Sequence, residues 1–205
     1  MIKALLLLFD PVATWDRIVE AKRGIVTILL IYSLPLLLLA TAGEGYGLTH
    51  WGKQRGEFGK PVPVPQAAAI HYGIIKIGIS LAVMLAGAQV IRTIGRSFHG
   101  RQTYTQSFTS VAYGLGPFFM MYLLNALPHM PEWGTWGIGM ALTASVLYQG
   151  LPRVMVPDIP HSLGLYFLSV IMLAIITALA QFMFGLILDQ QIRAVLLLPS
   201  TAPSF

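Results

Sequence analysis

The chain contains no cysteine. That excludes a disulfide framework, a thiolate nucleophile, a zinc knuckle and a cysteine-held iron–sulfur cluster. Charge is almost as scarce. Lys and Arg number 13 and Asp and Glu 8 among 205 residues, or 10 % charged, against about 25 % for a soluble domain. A water-soluble globule of this size cannot be covered with so few charges. Low-complexity disorder is excluded by the same arithmetic, because apolar residues make up 56 % and mean hydropathy is +0.71. What remains is an integral membrane protein. The formal net charge of +5 does not indicate nucleic acid, because the basic residues are scattered between apolar runs rather than gathered on one face.

Stretches free of Asp, Glu, Lys and Arg mark the spans. They are Gly24–Gly43, Gln102–Pro131, Trp133–Pro152 and Ile159–Leu188, with Pro61–Ile91 broken only by Lys76. About 20 apolar residues cross the roughly 30 Å hydrocarbon layer as a helix. The reading is an all-α integral membrane protein with five transmembrane helices at about 24–42, 70–91, 107–127, 134–151 and 163–188. Residues 1–23 form a cytoplasmic entry segment, 24–191 the transmembrane domain and 192–205 a short external tail. The fourth span is the least apolar, with Gly134, Gly137, Gly139 and Gly150. Five spans put eight Lys and Arg on the N-terminal side and four on the other. The positive-inside rule therefore places the N-terminus in the cytoplasm and the C-terminus outside.

Outside the spans, Asp10 is a good N-cap and Pro11 suits the first helical position. Val12, Trp15 and Val19 then recur at helical spacing, with Ile18 beside them. This predicts a short amphipathic N-terminal helix lying at the membrane surface, with Trp15 at headgroup depth. The Ala4–Phe9 run is too short to span. Gly43–Ala69, glycine-rich and then Pro61-Val62-Pro63-Val64-Pro65, reads as an extended external loop.

Three segments resemble the Ypt-interacting-protein (Yip) domain family, in particular its prokaryotic branch. Phe9-Asp10-Pro11 with Trp15-Asp16-Arg17-Ile18 is similar to the family's opening segment. Phe98-His99-Gly100 through Tyr104, Phe108, Ala112-Tyr113 and Pro117 resembles the entry to the third span. Leu147-Tyr148-Gln149-Gly150-Leu151 resembles the exit from the fourth. The resemblance implies a membrane protein with no known catalytic centre. Eukaryotic relatives contact Rab-type GTPases through a long hydrophilic N-terminal region. This chain has only about 23 residues before its first span, so that contact is not carried over.

Within the spans, Lys76 is the costliest residue, at about 2.5–3.5 kcal/mol for mid-bilayer insertion. Its stem can snorkel toward the outer surface. Otherwise it joins a polar cluster with Asn125, Gln181 and Asp189, expected at similar depth, and His71, one helical turn further out. Gly78, Ala82 and Ala86, four residues apart, form a candidate helix-packing stripe, as do Thr135, Gly139 and Thr143. Pro35 and Pro117 should kink spans one and three. His50, His71, His129 and Glu132 do not make a metal site, because Met130-Pro131 interrupts the helix that would align them. No Ser-His-Asp order, phosphate loop or inward pair of carboxylates is present. The expectation is a non-enzymatic scaffold or accessory subunit of a bacterial inner membrane, with no cofactor. Its partners are membrane lipid and a membrane protein or a second copy of itself, not nucleic acid. The rival reading is a small transporter or channel component built around Lys76.

Overall fold

The computed structural model describes residues 2–54, 61–97, 103–127, 130–155 and 162–197. Among the described residues the chain is helical apart from one short antiparallel strand pair and its turns and connections. Two short helices open it, α1 (Ile2–Phe9) and α2 (Pro11–Glu20). The first long rod is α3 (Ile25–Ile28), a π turn over Leu29–Ser33, and α4 (Leu34–His50). Strands β1 (Lys53–Gln54) and β2 (Pro61–Val62) pair antiparallel. Then follow α5 (Gln66–Ser97), α6 (Tyr104–Gly114), α7 (Gly116–Met121), a 3-10 turn over Tyr122–Ala126, α8 (Glu132–Met155) and α9 (Ser162–Leu197).

Among the described residues, four segments are long and apolar enough to cross a membrane: Ile25–His50, Gln66–Ser97, Tyr104–Ala126 and Ser162–Gln191. Helix α8 has the length, but its glycines, threonines and Gln149 dilute its apolar character below the other four. The third segment is the hub. Its apolar window is 72 % buried, against 28–39 % in the other three. It packs on α4, α5 and α8, while α9 lies outside against α5 and α8. The hub is a broken rod because Pro117 has no N–H and its ring crowds the turn before it, so α6 stops at Gly114 and α7 restarts at Gly116. Thr103 and Gln106 close the start of α6 with a reciprocal capping box. Pro35 is accommodated by the wider π turn just before it.

The first rod overruns its expected end at 42 by eight residues, and the external-loop reading of Gly43–Ala69 is corrected accordingly. Glycine costs about 1 kcal/mol in a helix interior, so Gly43, Gly45 and Gly47 look like a loop from sequence. The helix continues because a neighbour needs the space. A Cβ on Gly47 would sit 2.8 Å from the Cα of Ala126 and 2.9 Å from the Asn125 carbonyl. The rest of that segment turns tightly at Gly52 (φ +75°) into the hairpin, and α5 starts at Gln66. At the other end α9 continues to Leu197, so the tail expected from residue 192 begins as helix. Phe98-His99-Gly100 and His129 lie outside the described residues.

The opening helices also depart from expectation. Asp10 does cap α2, its carboxylate accepting from the Ala13 N–H at 3.3 Å. Trp15, however, is not at headgroup depth. It is fully buried, its Nε1–H donates to the Val146 carbonyl at 3.0 Å, and its ring fills the space over Gly150. The buried face of α2 is Thr14, Trp15 and Ile18, while Val12 and Val19 are exposed. Ala4 and Leu7 of α1 are buried as well. The N-terminal helices are thus wedged into the end of the bundle against α7 and α8.

Candidate functional site

Lys76 projects from the middle of α5 and is 1 % exposed, which rules out snorkelling. Its ammonium donates to Glu44 Oε2 of α4 at 2.5 Å. The other carboxylate oxygen, Oε1, accepts from the Tyr72 hydroxyl at 3.2 Å. Aromatic rings close the remaining sides. The ammonium lies 3.9 Å from the ring centroid of Tyr122, 4.9 Å from Phe184 and 5.5 Å from Tyr72. Ring quadrupoles attract a desolvated cation. The charge is therefore balanced by one carboxylate and screened by three rings drawn from α5, the 3-10 turn and α9. A cavity lined by Ser80, Tyr122 and Phe184 among others holds about 10 Å³, at the lower limit of what a single water needs, and the two charged side chains are only 1 % and 4 % exposed.

A second polar chain leads from this pair to the hairpin end of the bundle. The Tyr122 hydroxyl donates to Gln181 Oε1, and Gln181 Nε2 donates to Glu132 Oε2, both at 3.5 Å. Glu132 Oε1 meets Lys53 Nζ at 3.2 Å, and Lys53 stands 3.8 Å from Asp189. Signs alternate along it, and the members come from the hairpin, the 3-10 turn, α8 and α9. The contacts tie the hairpin, the 3-10 turn, α8 and α9 to one another at one end of the bundle.

The predicted polar cluster is thereby partly reassembled. Gln181 is buried and takes part, one contact removed from Lys76. Asp189 pairs with Lys53, not with Lys76. Asn125 accepts from the Thr135 hydroxyl at 2.8 Å and helps hold the 3-10 turn to α8. His71 is exposed and stands apart. His50 stacks on Tyr46, with ring centroids 3.9 Å apart. Among the described residues no three His, Asp or Glu side chains gather as a metal site. The partner the sequence reading missed is Glu44. The glycines around it read locally as a loop. A signal was available: Leu37, Ala40, Thr41, Glu44, Gly47 and Leu48 recur at three- and four-residue spacing, and all are buried.

The stripe Gly78, Ala82 and Ala86 also needs correcting. All three are exposed, and a Cβ on Gly78 would meet nothing within 4 Å. The packed face of α5 is the adjacent one, through Ser80, Met84, Gly87 and Ala88. Helical spacing alone cannot distinguish small residues that admit a neighbour from small residues that face outward. The stripe Thr135, Gly139 and Thr143 is buried as expected, and a Cβ on Gly139 would lie 2.8 Å from the Phe118 ring.

At the opposite end the ion pair is of another kind. Arg153 Nε lies 3.2 Å from Asp16 with side chains 30 % and 56 % exposed, and ties α8 to α2. There, partial burial and the nearby Arg23 hold the Lys3 ammonium below its ordinary pKa.

No curated protein and no solved structure matches the chain. The family model of the Yip1 domain does, over residues 5–182, which includes the wedge, the ion pair and the hub. This match takes in all three segments on which the sequence resemblance rests. The chain is a membrane protein of the Yip1 domain family.

Proposed function

We propose that the protein is a non-enzymatic scaffold or accessory subunit of a bacterial inner membrane, acting through protein or lipid contacts of its helices. Helix α8 serves as a fifth crossing, the N-terminus lies in the cytoplasm and the C-terminus in the periplasm. The observation that supports this reading is the buried, paired interior around Lys76. A transported solute or proton needs water or an exchangeable site along its route. Here the one lysine inside a span is neutralised by Glu44, enclosed by rings, and adjoined by about 10 Å³ of space. The outward-facing surfaces of the long helices carry large apolar side chains such as Ile74, Ile171, Leu179 and Phe182, which suit lipid or another membrane helix.

The absence of native cysteine makes substituted-cysteine labelling a clean test. Ser80→Cys, one turn from Lys76 and lining the small cavity, should stay unreactive to a water-soluble thiol reagent in the folded protein. Ser97→Cys, exposed at the end of α5, should be protected from an impermeant reagent added outside the cell. Fast labelling of Ser80→Cys would reveal a water path and overturn the scaffold reading. External labelling of Ser97→Cys would overturn the orientation.

A further inference from the structure

A groove of about 710 Å³ runs between α4 and α5, and neither Glu44 nor Lys76 lines it. It lies within two segments apolar enough to cross the membrane. Its deep end is hydrocarbon, bounded by Leu38, Ile74 and Ile77, and its mouth at the hairpin end carries Tyr46, His50 and Gln66. Among the described residues, no Asp, Glu, Lys or Arg lines it. From Leu38 to His50 on α4, and from Gln66 to Ile77 on α5, the rise is about 17 Å. Half of a hydrocarbon core of about 30 Å is close to that length. The groove thus extends from headgroup level to mid-membrane, the depth of one leaflet. It stays open because small residues line it: a Cβ on Gly45 would meet nothing within 4 Å, and one on Gly73 only the Thr41 Cβ at 3.9 Å.

We propose that this groove holds one phospholipid of the leaflet on the hairpin side, with an acyl chain between α4 and α5 and the phosphate at Tyr46, His50 and Gln66. Polarity runs along the groove in the order that such a lipid requires. The mouth's described lining offers a phenol, an imidazole and an amide as hydrogen-bond donors to phosphate oxygens. The volume falls in the range of about 300–1,000 Å³ typical of ligand sites. The inference rests on the lipid-contact reading above but not on the orientation of the chain, and it does not involve the ion pair.

The test uses the full chain, delipidated in detergent and titrated with phosphatidylglycerol or with diacylglycerol, bound molecules being counted by native mass spectrometry. The wild type should bind one phosphatidylglycerol about tenfold more tightly than any further copy, with diacylglycerol weaker. Gly45→Trp, which fills the groove, should lower that affinity about tenfold, whereas Ala82→Trp on the exposed face should not. Gly73→Leu replaces Gly45→Trp if the latter lowers the unfolding midpoint. Equal filling of all sites by the wild type, or undiminished binding by the filled variants, overturns the proposal. Equal binding of diacylglycerol overturns the phosphate assignment. Ser80→Cys labelling is unaffected by either result, so the scaffold reading stands or falls separately.

Discussion

The two ends of the bundle solve the same problem by different means. At the hairpin side α4 and α5 are joined by Lys76 and Glu44, whose side chains are 1 % and 4 % exposed. At the N-terminal side α2 and α8 are joined by Trp15 seated on Gly150, with the Asp16–Arg153 pair outside it in contact with solvent. Removing one partner of a buried pair leaves an uncompensated charge, whereas exposed pairs contribute little. The inner pair is therefore a register lock. It tolerates one relative position of α4 and α5, because sliding either helix by a turn would separate two buried charges. The outer pair fixes little by itself. At that end the fit of the indole over a glycine sets the position.

Experiments can break this contrast in order of expected effect. Lys76→Met should be the most damaging change, costing about 3–5 kcal/mol in unfolding measured in detergent, because Glu44 is left charged and without its cation in a buried site. Glu44→Gln should cost a similar amount by stranding the ammonium. The double variant should recover much of the loss, giving a coupling that a double-mutant cycle reads directly. Additive losses would show that the two side chains act independently and that the lock does not exist.

Gly150→Ala comes next. A methyl there collides with the Trp15 indole, and overpacking of this kind costs about 1–3 kcal/mol. Trp15→Phe combined with it should be milder than the sum of the two single changes, since the smaller ring makes room. Arg153→Met should cost less than about 1 kcal/mol, and the difference from wild type should fade as salt is raised. A loss as large as that of Lys76→Met would erase the distinction between the two ends. Smallest of all, Ala82→Leu should change stability by less than about 0.5 kcal/mol, because the stripe faces outward. A loss of 1 kcal/mol or more, on the order of overpacking costs, would mean that another copy or partner packs on it.

The helices themselves were legible because hydrocarbon permits few alternatives. Charge-free runs of sufficient length must be helical so that their backbone groups are paired. The runs at about 70–91 and 163–188 lie within long apolar segments of the structure, and those at about 24–42 and 107–127 overlap two more to within a residue. The Asp10 cap and the break at Pro117 were legible for a similar reason, since each depends on chemistry within a few residues. The functional cluster was only half legible. Lys76 is conspicuous in its span, but Glu44 is not, because three glycines beside it argue locally for a loop. The choice of faces on α5 was not legible either, since Gly78, Ala82 and Ala86 are as small and as regularly spaced as the residues that do pack.

The sequence alone determined that this is a helical membrane protein, roughly where its helices run, and that one lysine inside them needs explanation. Composition and local periodicity suffice for this, because the cost of an unpaired backbone group or a lone charge in hydrocarbon does not depend on the neighbours. Only the tertiary structure decided which residues answer that lysine, that Trp15 is a wedge and not a surface anchor, and that α4 runs on to His50. Each of these depends on atoms distant in sequence. Glu44 is 32 residues from Lys76, Val146 is 131 from Trp15, and Gly47 is helical because the backbone of Ala126 lies against it. Contacts of that range carry no trace in local spacing, and close packing selects among the faces that local spacing leaves equivalent.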